Sequence, residues 1–261
     1  MSVEIRCVLA PNPGPFTLEG TNTWIVGRGP SIVIDPGPDD PGHLERVAAE
    51  ADPVGVILLT HHHPDHAPGA GLLSERTGAP VKTIRPGAGE VALEDGEAVA
   101  AGGARLVAVH TPGHSADHVV YQEPDAGALF TGDAVLGRGT SVVDPPDGDL
   151  RAYLASLERM LGLGAERLYP GHGPVIEDAR GKLREYLEHR AERERQVLAG
   201  LASGAKTAEE LVPGIYADYP VELHPVAARS VLAHLLKLER DGVVVRDGAP
   251  GRERYALVTT E

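Results

Sequence analysis

The sequence holds a single cysteine, Cys7, which excludes an intramolecular disulfide and leaves the expectation of a buried, inert thiol. No stretch approaches the roughly 20 consecutive apolar residues that a helix needs to cross a bilayer. Met1–Gly14 carries no apolar run preceded by basic residues. Neither a membrane anchor nor a signal peptide is therefore expected, no membrane partner is assigned, and the cytoplasm is the expected compartment. Aromatic residues make up only 4%, so the core is expected to consist of Ala, Val and Leu. Positive charge is scarce as well, with 24 Lys/Arg against 38 Asp/Glu and a net charge of -14. Such a surface repels phosphate backbones and anionic membranes, although bound metal ions would offset part of that charge locally.

What is abundant is turn chemistry. The 32 glycines and 22 prolines imply more tight turns than an all-helical protein needs. Between them lie short apolar runs that read as strands: Val3–Leu9, Asn22–Val26, Ser31–Ile34, Gly55–Thr60, Arg105–His110, His118–Tyr121, Ala128–Thr131 and Arg167–Tyr169. Helical spacing of apolar residues is found in Gly42–Ala51, Ala67–Arg76 and Asp149–Leu161, the last with Asp149 as its N-cap. Strands mixed with single helices predict a layered α/β protein. The character changes near Ile176. Asp178–Leu198, dense in Glu and Arg, reads as an exposed or bridging helix. Arg195–Ala202, Ala208–Tyr216 and Ala227–Asp241 then suggest three short helices. Gly242–Arg246 and Glu253–Val258 suggest two strands joined at Gly248–Arg252. Three helices followed by a hairpin is the order of a winged helix. The expected organisation is a domain over residues 1–177 and a linker helix with a small winged-helix-like domain over 178–261.

The chemistry concentrates where strands end. Thr60-His61-His62-His63-Pro64-Asp65-His66 follows an apolar strand, and ligands two apart on extended backbone point to the same side. A histidine-rich loop alone is also consistent with an adventitious metal site. Three further elements shift the balance: His114 in Thr111-Pro112-Gly113-His114, Asp133 in Thr131-Gly132-Asp133, and His172 in Pro170-Gly171-His172. Each is a strand, a glycine turn and a metal-capable side chain, so all seven could converge at one sheet edge. Imidazoles with carboxylates suit a divalent metal of borderline hardness, with zinc the default and manganese or iron also accepted.

These motifs resemble the metallo-beta-lactamase superfamily, whose signature is His-x-His-x-Asp-His followed by separate His, Asp and His ligands. The resemblance covers roughly Val3–Ile176. It implies an αββα sandwich with two divalent ions at one edge: His61, His63 and His114 on one ion, Asp65, His66 and His172 on the other, and Asp133 bridging. Zinc beta-lactamases of the commonest type have Cys where Asp133 stands, so an antibiotic-degrading role is not expected. Gly20-Thr21-Asn22-Thr23, Thr111-Pro112-Gly113-His114 and the winged-helix-like tail are similar to the lactamase-beta-2-like group, which includes single-strand-selective endoribonucleases and polyketide thioesterases. Glyoxalase II is similar in its histidine motif but has a helical C-terminal extension.

Two ions sharing a water lower its pKa toward neutrality and polarise the bond under attack, so a metal-bound hydroxide is the expected nucleophile, with Asp65 orienting it. His118 is read either as a second catalytic group or as a packed residue opening a strand. His62 is expected to face away from the ligands, His110 to make a structural hydrogen bond, and His43, His189, His224 and His234 to be surface or packing residues. Asp35 resembles the family's buried carboxylate behind the ligand loop. Thr21, Asn22 and Thr23 either place polar groups near the site or form a satisfied turn.

Phosphodiester cleavage in single-stranded RNA is the first functional reading, favoured by the winged-helix order. From Gly181 onward, however, acidic residues slightly outnumber basic ones, and only Arg246, Arg252 and Arg254 suggest a local basic patch. The alternative is hydrolysis of a thioester, lactone or other small acyl compound, with the tail walling the cleft or joining a second copy as a homodimer. A DNA-binding regulator without catalysis is disfavoured, because it has no use for seven ligands.

Overall fold

The computed structural model describes residues 3–249 and 251–258. Two sheets lie face to face, with helices on both outer faces. The first sheet has six strands in the order β1 (Ile5–Leu9), β2 (Asn22–Val26), β3 (Ser31–Ile34), β4 (Val54–Leu58), β5 (Val81–Thr83) and β6 (Val91–Ala92). The second runs β11 (Arg167–Pro170), β10 (Ala128–Gly132), β9 (Val119–Glu123), β8 (Ala104–His110) and β7 (Ala98–Ala101). β1–β3 pair antiparallel, whereas β3–β6 are parallel; β10 and β11 also run parallel.

The period-two pattern of each strand explains the layering. Trp24, Val26, Ile32, Ile34, Val56 and Leu58 point inward and meet Leu106, Ala108, Val119, Tyr121 and Phe130 of the second sheet. Their alternates Ile25, Val33, Ile57 and Leu59 point outward, under α1 (Pro41–Glu50) and α2 (Gly69–Thr77). On the other side Val109, Val120, Leu129 and Leu168 pack beneath α3 (Leu150–Gly162) and the first half of α4 (Ala179–Leu201). Both faces of each sheet are covered, giving the expected αββα sandwich. Asp149 caps α3 by accepting from Ala152 N–H at 3.0 Å, as its position before the apolar run predicts.

The C-terminal part is a separate small core. Val197 and Leu201 at the end of α4 pack with α5 (Ala208–Ile215), α6 (His224–Arg240) and the hairpin β12 (Val244–Asp247) and β13 (Arg254–Leu257). Thr207 and Glu210 form a capping box at the start of α5.

Several expectations need correction. Arg195–Ala202 is not a separate helix but the end of α4, which runs unbroken for 23 residues. No proline interrupts it, and the middle of its buried stripe is filled by Arg190 and Arg193, which the apolar pattern does not register. β5, β6 and β7 are two to four residues long and lie among prolines and glycines, too short for an alternation to show. Cys7 sits exposed on β1, which lies at the edge of its sheet, rather than buried. Its sulfur nevertheless lies 3.5 Å from Asn22 Oδ1, and local desolvation pushes the thiol up to about 11, which keeps it inert.

The turn before His114 depends on Gly113. Its φ is +140°, and a Cβ there would lie 2.3 Å from the Tyr153 Cα and 2.4 Å from its backbone nitrogen. Backbone of a buried helix cannot yield to that overlap. Gly113→Ala is therefore expected to cost about 3 kcal/mol or more, read as a lowered midpoint in urea. An unchanged midpoint would show that the loop and α3 are not in contact.

Candidate metal centre

Seven ligand-type side chains reach one edge of the sandwich from four strand ends. His61, His63, Asp65 and His66 follow β4; His114 follows β8; Asp133 follows β10; and His172 follows β11. They form two groups, His61–His63–His114–Asp133 and Asp65–His66–Asp133–His172, and within each group the ligand atoms lie within 4.8 Å of one another. Asp133 belongs to both. Its Oδ1 is 3.3 Å from His66 Nε2 and 3.4 Å from His172 Nε2, whereas Oδ2 is 3.8 Å from His114 Nε2.

The hydrogen bonds behind these rings decide which nitrogen each presents. Asp35 Oδ1 accepts from Thr60 N–H at 2.7 Å, and Oδ2 accepts from Thr60 Oγ1 at 2.7 Å and from His66 Nδ1 at 2.9 Å. Because Thr60 Oγ1 has spent its proton on Asp35, it accepts from His61 Nδ1 at 3.0 Å. His114 Nδ1 donates to Val142 O at 2.8 Å, and His172 Nδ1 to Gly20 O at 3.1 Å. All four rings therefore aim Nε2 inward.

This arrangement fits divalent cations. His61 Nε2 and Asp133 Oδ1 are buried without a hydrogen-bond partner. His66 Nε2 faces His172 Nε2 at 3.2 Å, and His114 Nε2 faces His63 Nδ1 at 3.0 Å. With both outer nitrogens committed as donors, the His66–His172 pair needs a shared proton or a cation between its rings. His63, whose Nε2 has no partner among the described residues, can meet His114 Nε2 with an Nδ1 proton or through a cation. The electrostatics agree. Burial penalises the Asp133 carboxylate, but His66, His172 and His114 more than offset it and hold its pKa far down. Burial likewise disfavours a His66 cation, yet Asp133 and Asp35 together raise its pKa. His61, buried and flanked by other imidazoles, has its pKa pushed well down and stays neutral.

Glycines let the loops close this tightly. A Cβ on Gly171 would lie 2.6 Å from His66 Cε1 and 2.9 Å from Asp133 Oδ1. The Gly20–Thr23 segment, read from the sequence either as near the site or as a satisfied turn, ties two ligand loops and the Asp35 turn together. Thr21 Oγ1 donates to Asp65 O, Asn22 Nδ2 to Pro170 O and Gly173 O, and Thr23 Oγ1 to Asp35 O.

His118 does not face the site opening. It is fully buried, with Nδ1 3.1 Å from Thr111 Oγ1 and Nε2 accepting from Asp133 N–H at 3.2 Å. Burial and the nearby His114 push it down to about 3, so it is neutral. Of its two readings, a second catalytic group or a packed residue opening a strand, these contacts favour the packed one, a brace under Asp133. His62 is exposed and turned away from the ligands, between Asp117 (2.5 Å) and Glu90 (3.1 Å). The hydrogen bond to Asp117 raises its pKa to about 9. His110 makes its hydrogen bond to Ala116 O. Sequence reasoning passed over Thr60, Ser141 and the Val142 carbonyl; nothing in their local pattern distinguishes them from ordinary loop residues.

Comparison with known proteins agrees with this geometry. The family model "Metallo-beta-lactamase superfamily" matches residues 16–90 and 81–172, and "Beta-lactamase associated winged helix domain" matches 207–252. A "Beta-lactamase-like protein 2 homolog" of Caenorhabditis elegans is 36% identical over 262 residues, covering 94% of this chain and 87% of its own. The crystal structure of metallo-beta-lactamase family protein TTHA1429 from Thermus thermophilus superposes with a TM-score of 0.81 at 28% identity, covering 97% of this chain and 98% of that one. TTHA1623, crystallised in a di-iron-bound form, gives a TM-score of 0.53 at 31% identity over 68% of this chain and 95% of that one. The chain belongs to the metallo-beta-lactamase superfamily and is a hydrolase of that fold with a C-terminal winged-helix domain. No helix among the described residues is long and apolar enough to cross a membrane.

Stripping the protein with a chelator is expected to lower its Tm, and two equivalents of a divalent ion to restore it, since a ligand of the native state stabilises it by linkage. Asp35→Ala releases His66 and, through Thr60, His61. It is expected to weaken metal binding about 10–100-fold, measured by competition with a fluorescent chelator. Unchanged affinity in that variant would detach Asp35 from the centre.

Proposed function

We propose that the protein hydrolyses a small acyl substrate, a thioester or related ester, at a two-metal centre. His61, His63 and His114 would hold one ion, Asp65, His66 and His172 the other, with Asp133 shared between them. The di-iron form of TTHA1623 supports a pair of ions and sets iron beside zinc and manganese as the metal. When bound, such a pair lowers the pKa of water and polarises the carbonyl.

The chain's own residues supply the rest. Asp65 is the more exposed of the two ligand carboxylates, with its side chain 25% accessible against 13% for Asp133. It orients the attacking water and receives its proton. The leaving group receives no proton from a neighbouring imidazole. His118 is buried with both nitrogens engaged, and both nitrogens of His62 are held by carboxylates. A thiolate departs without protonation, whereas an alkoxide benefits from a general acid.

The observation that carries the choice of substrate is the state of the C-terminal cations. Arg246 pairs with Glu239, Arg254 with Glu210, Lys237 with Glu194 and Asp241, Arg240 with Asp149 and Arg229 with Asp144. Of the basic patch read from the sequence, only Arg252 lacks an acidic partner among the described residues. A strand of RNA needs a track of free cations along its backbone. This reverses the order of the two readings taken from the sequence, and RNA cleavage becomes the second.

The test offers metal-loaded protein a panel of acyl thioesters and, separately, single-stranded RNA, each beside Asp133→Ala. Thioester turnover that depends on metal and falls at least about 10³-fold in the variant is expected. Metal-dependent RNA cleavage lost in the variant, with no thioester turnover, would reinstate the phosphodiesterase reading.

A further inference from the structure

The helix α4 lies between the regions matched by the two family models, yet it touches the metal centre through one loop. That loop, residues 133–149, begins with Asp133 and contains Val142, whose carbonyl accepts the His114 Nδ1 proton. Tyr186 Oη accepts from Leu136 N–H at 2.9 Å and donates to Gly139 O at 3.1 Å. One turn further along α4, Arg190 Nη2 donates to Ser141 O, the carbonyl next to Val142. Ser141 Oγ also lies 3.3 Å from His114 Nδ1. The Arg190 guanidinium sits 5.3 Å from the centroid of the Tyr153 ring, and Tyr153 Oη donates to Ala134 O, adjacent to Asp133.

Arg190 is only 4% exposed, has no carboxylate within 4 Å among the described residues, and leaves its Nε without a partner. A buried cation held by a carbonyl and a ring face is an expensive way to stabilise a helix contact, and an apolar side chain of equal length would serve packing as well. The arrangement makes sense as fixation of a particular carbonyl. The loop is gripped further by α6, where Arg229 pairs with Asp144 and donates to Pro145 O, and Arg240 pairs with Asp149.

We propose that Arg190 is a positioning residue of the metal centre: by holding Ser141 it sets the Val142 carbonyl that fixes the His114 ring, and so tunes the ion held by His61, His63 and His114. The inference rests on the two-metal reading of the centre and not on the identity of the substrate.

The experiment compares full-length wild type with Arg190→Met and Arg190→Lys, titrating the metal-free proteins with Zn2+ against a fluorescent chelator and recording the metal-free Tm of each. Wild type is expected to bind two equivalents. In Arg190→Met one equivalent keeps its affinity and the other weakens about 10–100-fold, while the metal-free Tm stays within a few degrees of wild type. Arg190→Lys restores part of the affinity, because an ammonium also donates to Ser141 O. Equal affinities of both equivalents in all three proteins would overturn the proposal, and so would a parallel loss at both equivalents that follows a fallen Tm. If Arg190→Met does not fold, Arg190→Lys with Tyr186→Phe decides the matter, since Tyr186→Phe frees the same loop one turn away and is expected to weaken the same equivalent. A wild type that binds no metal instead refutes the two-metal reading itself.

Discussion

A single buried carboxylate orients one ring in each of the two ligand groups. Asp35 lies at a positive φ of 50°, an unfavourable conformation for a residue with a side chain, at the end of β3. The strain is held by Thr23 Oγ1, which donates to Asp35 O, and by Asp35 N–H, which donates to Leu58 O. In return the two carboxylate oxygens take three hydrogen bonds, two from Thr60 and one from His66. Direct contact fixes the His66 tautomer; contact through the Thr60 hydroxyl fixes that of His61. These two rings belong to different ligand groups, so one side chain prepares both. A backbone outlier at the base of a ligand loop is a place where stability is given up for preorganisation.

That preparation has an electrostatic consequence. The centre gathers five imidazoles and two carboxylates, most of them deeply buried, at one rim of a strongly acidic protein. Desolvation opposes every charge there, yet the groups do not simply neutralise: Asp133 stays ionised and His66 is driven toward its cation. Protons thus occupy the positions that metal ions would take, and the two compete. The same logic separates the ligands from His118, which lies as deep but spends both nitrogens on Thr111 and the Asp133 backbone. Depth alone does not make a histidine a ligand; an uncommitted inward nitrogen does.

The parts legible in the sequence are those in which one residue type has one physical meaning. His61, His63 and the strand before them follow from period two, and the glycines before His114, Asp133 and His172 mark turns that only a missing Cβ permits. The layer order follows from alternations such as Trp24, Ile25 and Val26, whose faces separate without ambiguity. What escaped depends on contacts distant in sequence. β5 is a strand because β4 offers its free edge, and β6 because β5 then offers its own; nothing inside two or three residues says so. His118 sits at a strand entrance in a motif that suggests chemistry, and only the position of Asp133 N–H shows what its Nε2 does. Arg190 and Arg193 are charged residues inside a helix; reading them as solvent-facing is sound until Tyr153 and Tyr216 are seen to cover them.

The contacts of α4 and α6 bear on how the sandwich is joined to the C-terminal region. Its first helix does not merely connect. Leu183 and Tyr186 complete the outer layer of the sandwich, while Val197 and Leu201 found the small core beyond. Ala233 of α6 packs into the larger core, and Arg229 and Arg240 return to the loop after Asp133. A winged helix built to read nucleic acid would keep its cations free for phosphates. Here most of them are turned onto acidic partners, two of which, Asp144 and Asp149, lie in the hydrolase domain. Through Arg229 and Arg240 the fold contacts the loop from which Asp133 and the support of His114 both come. Fold likeness to nucleic-acid readers therefore carries less weight than where the guanidinium groups point.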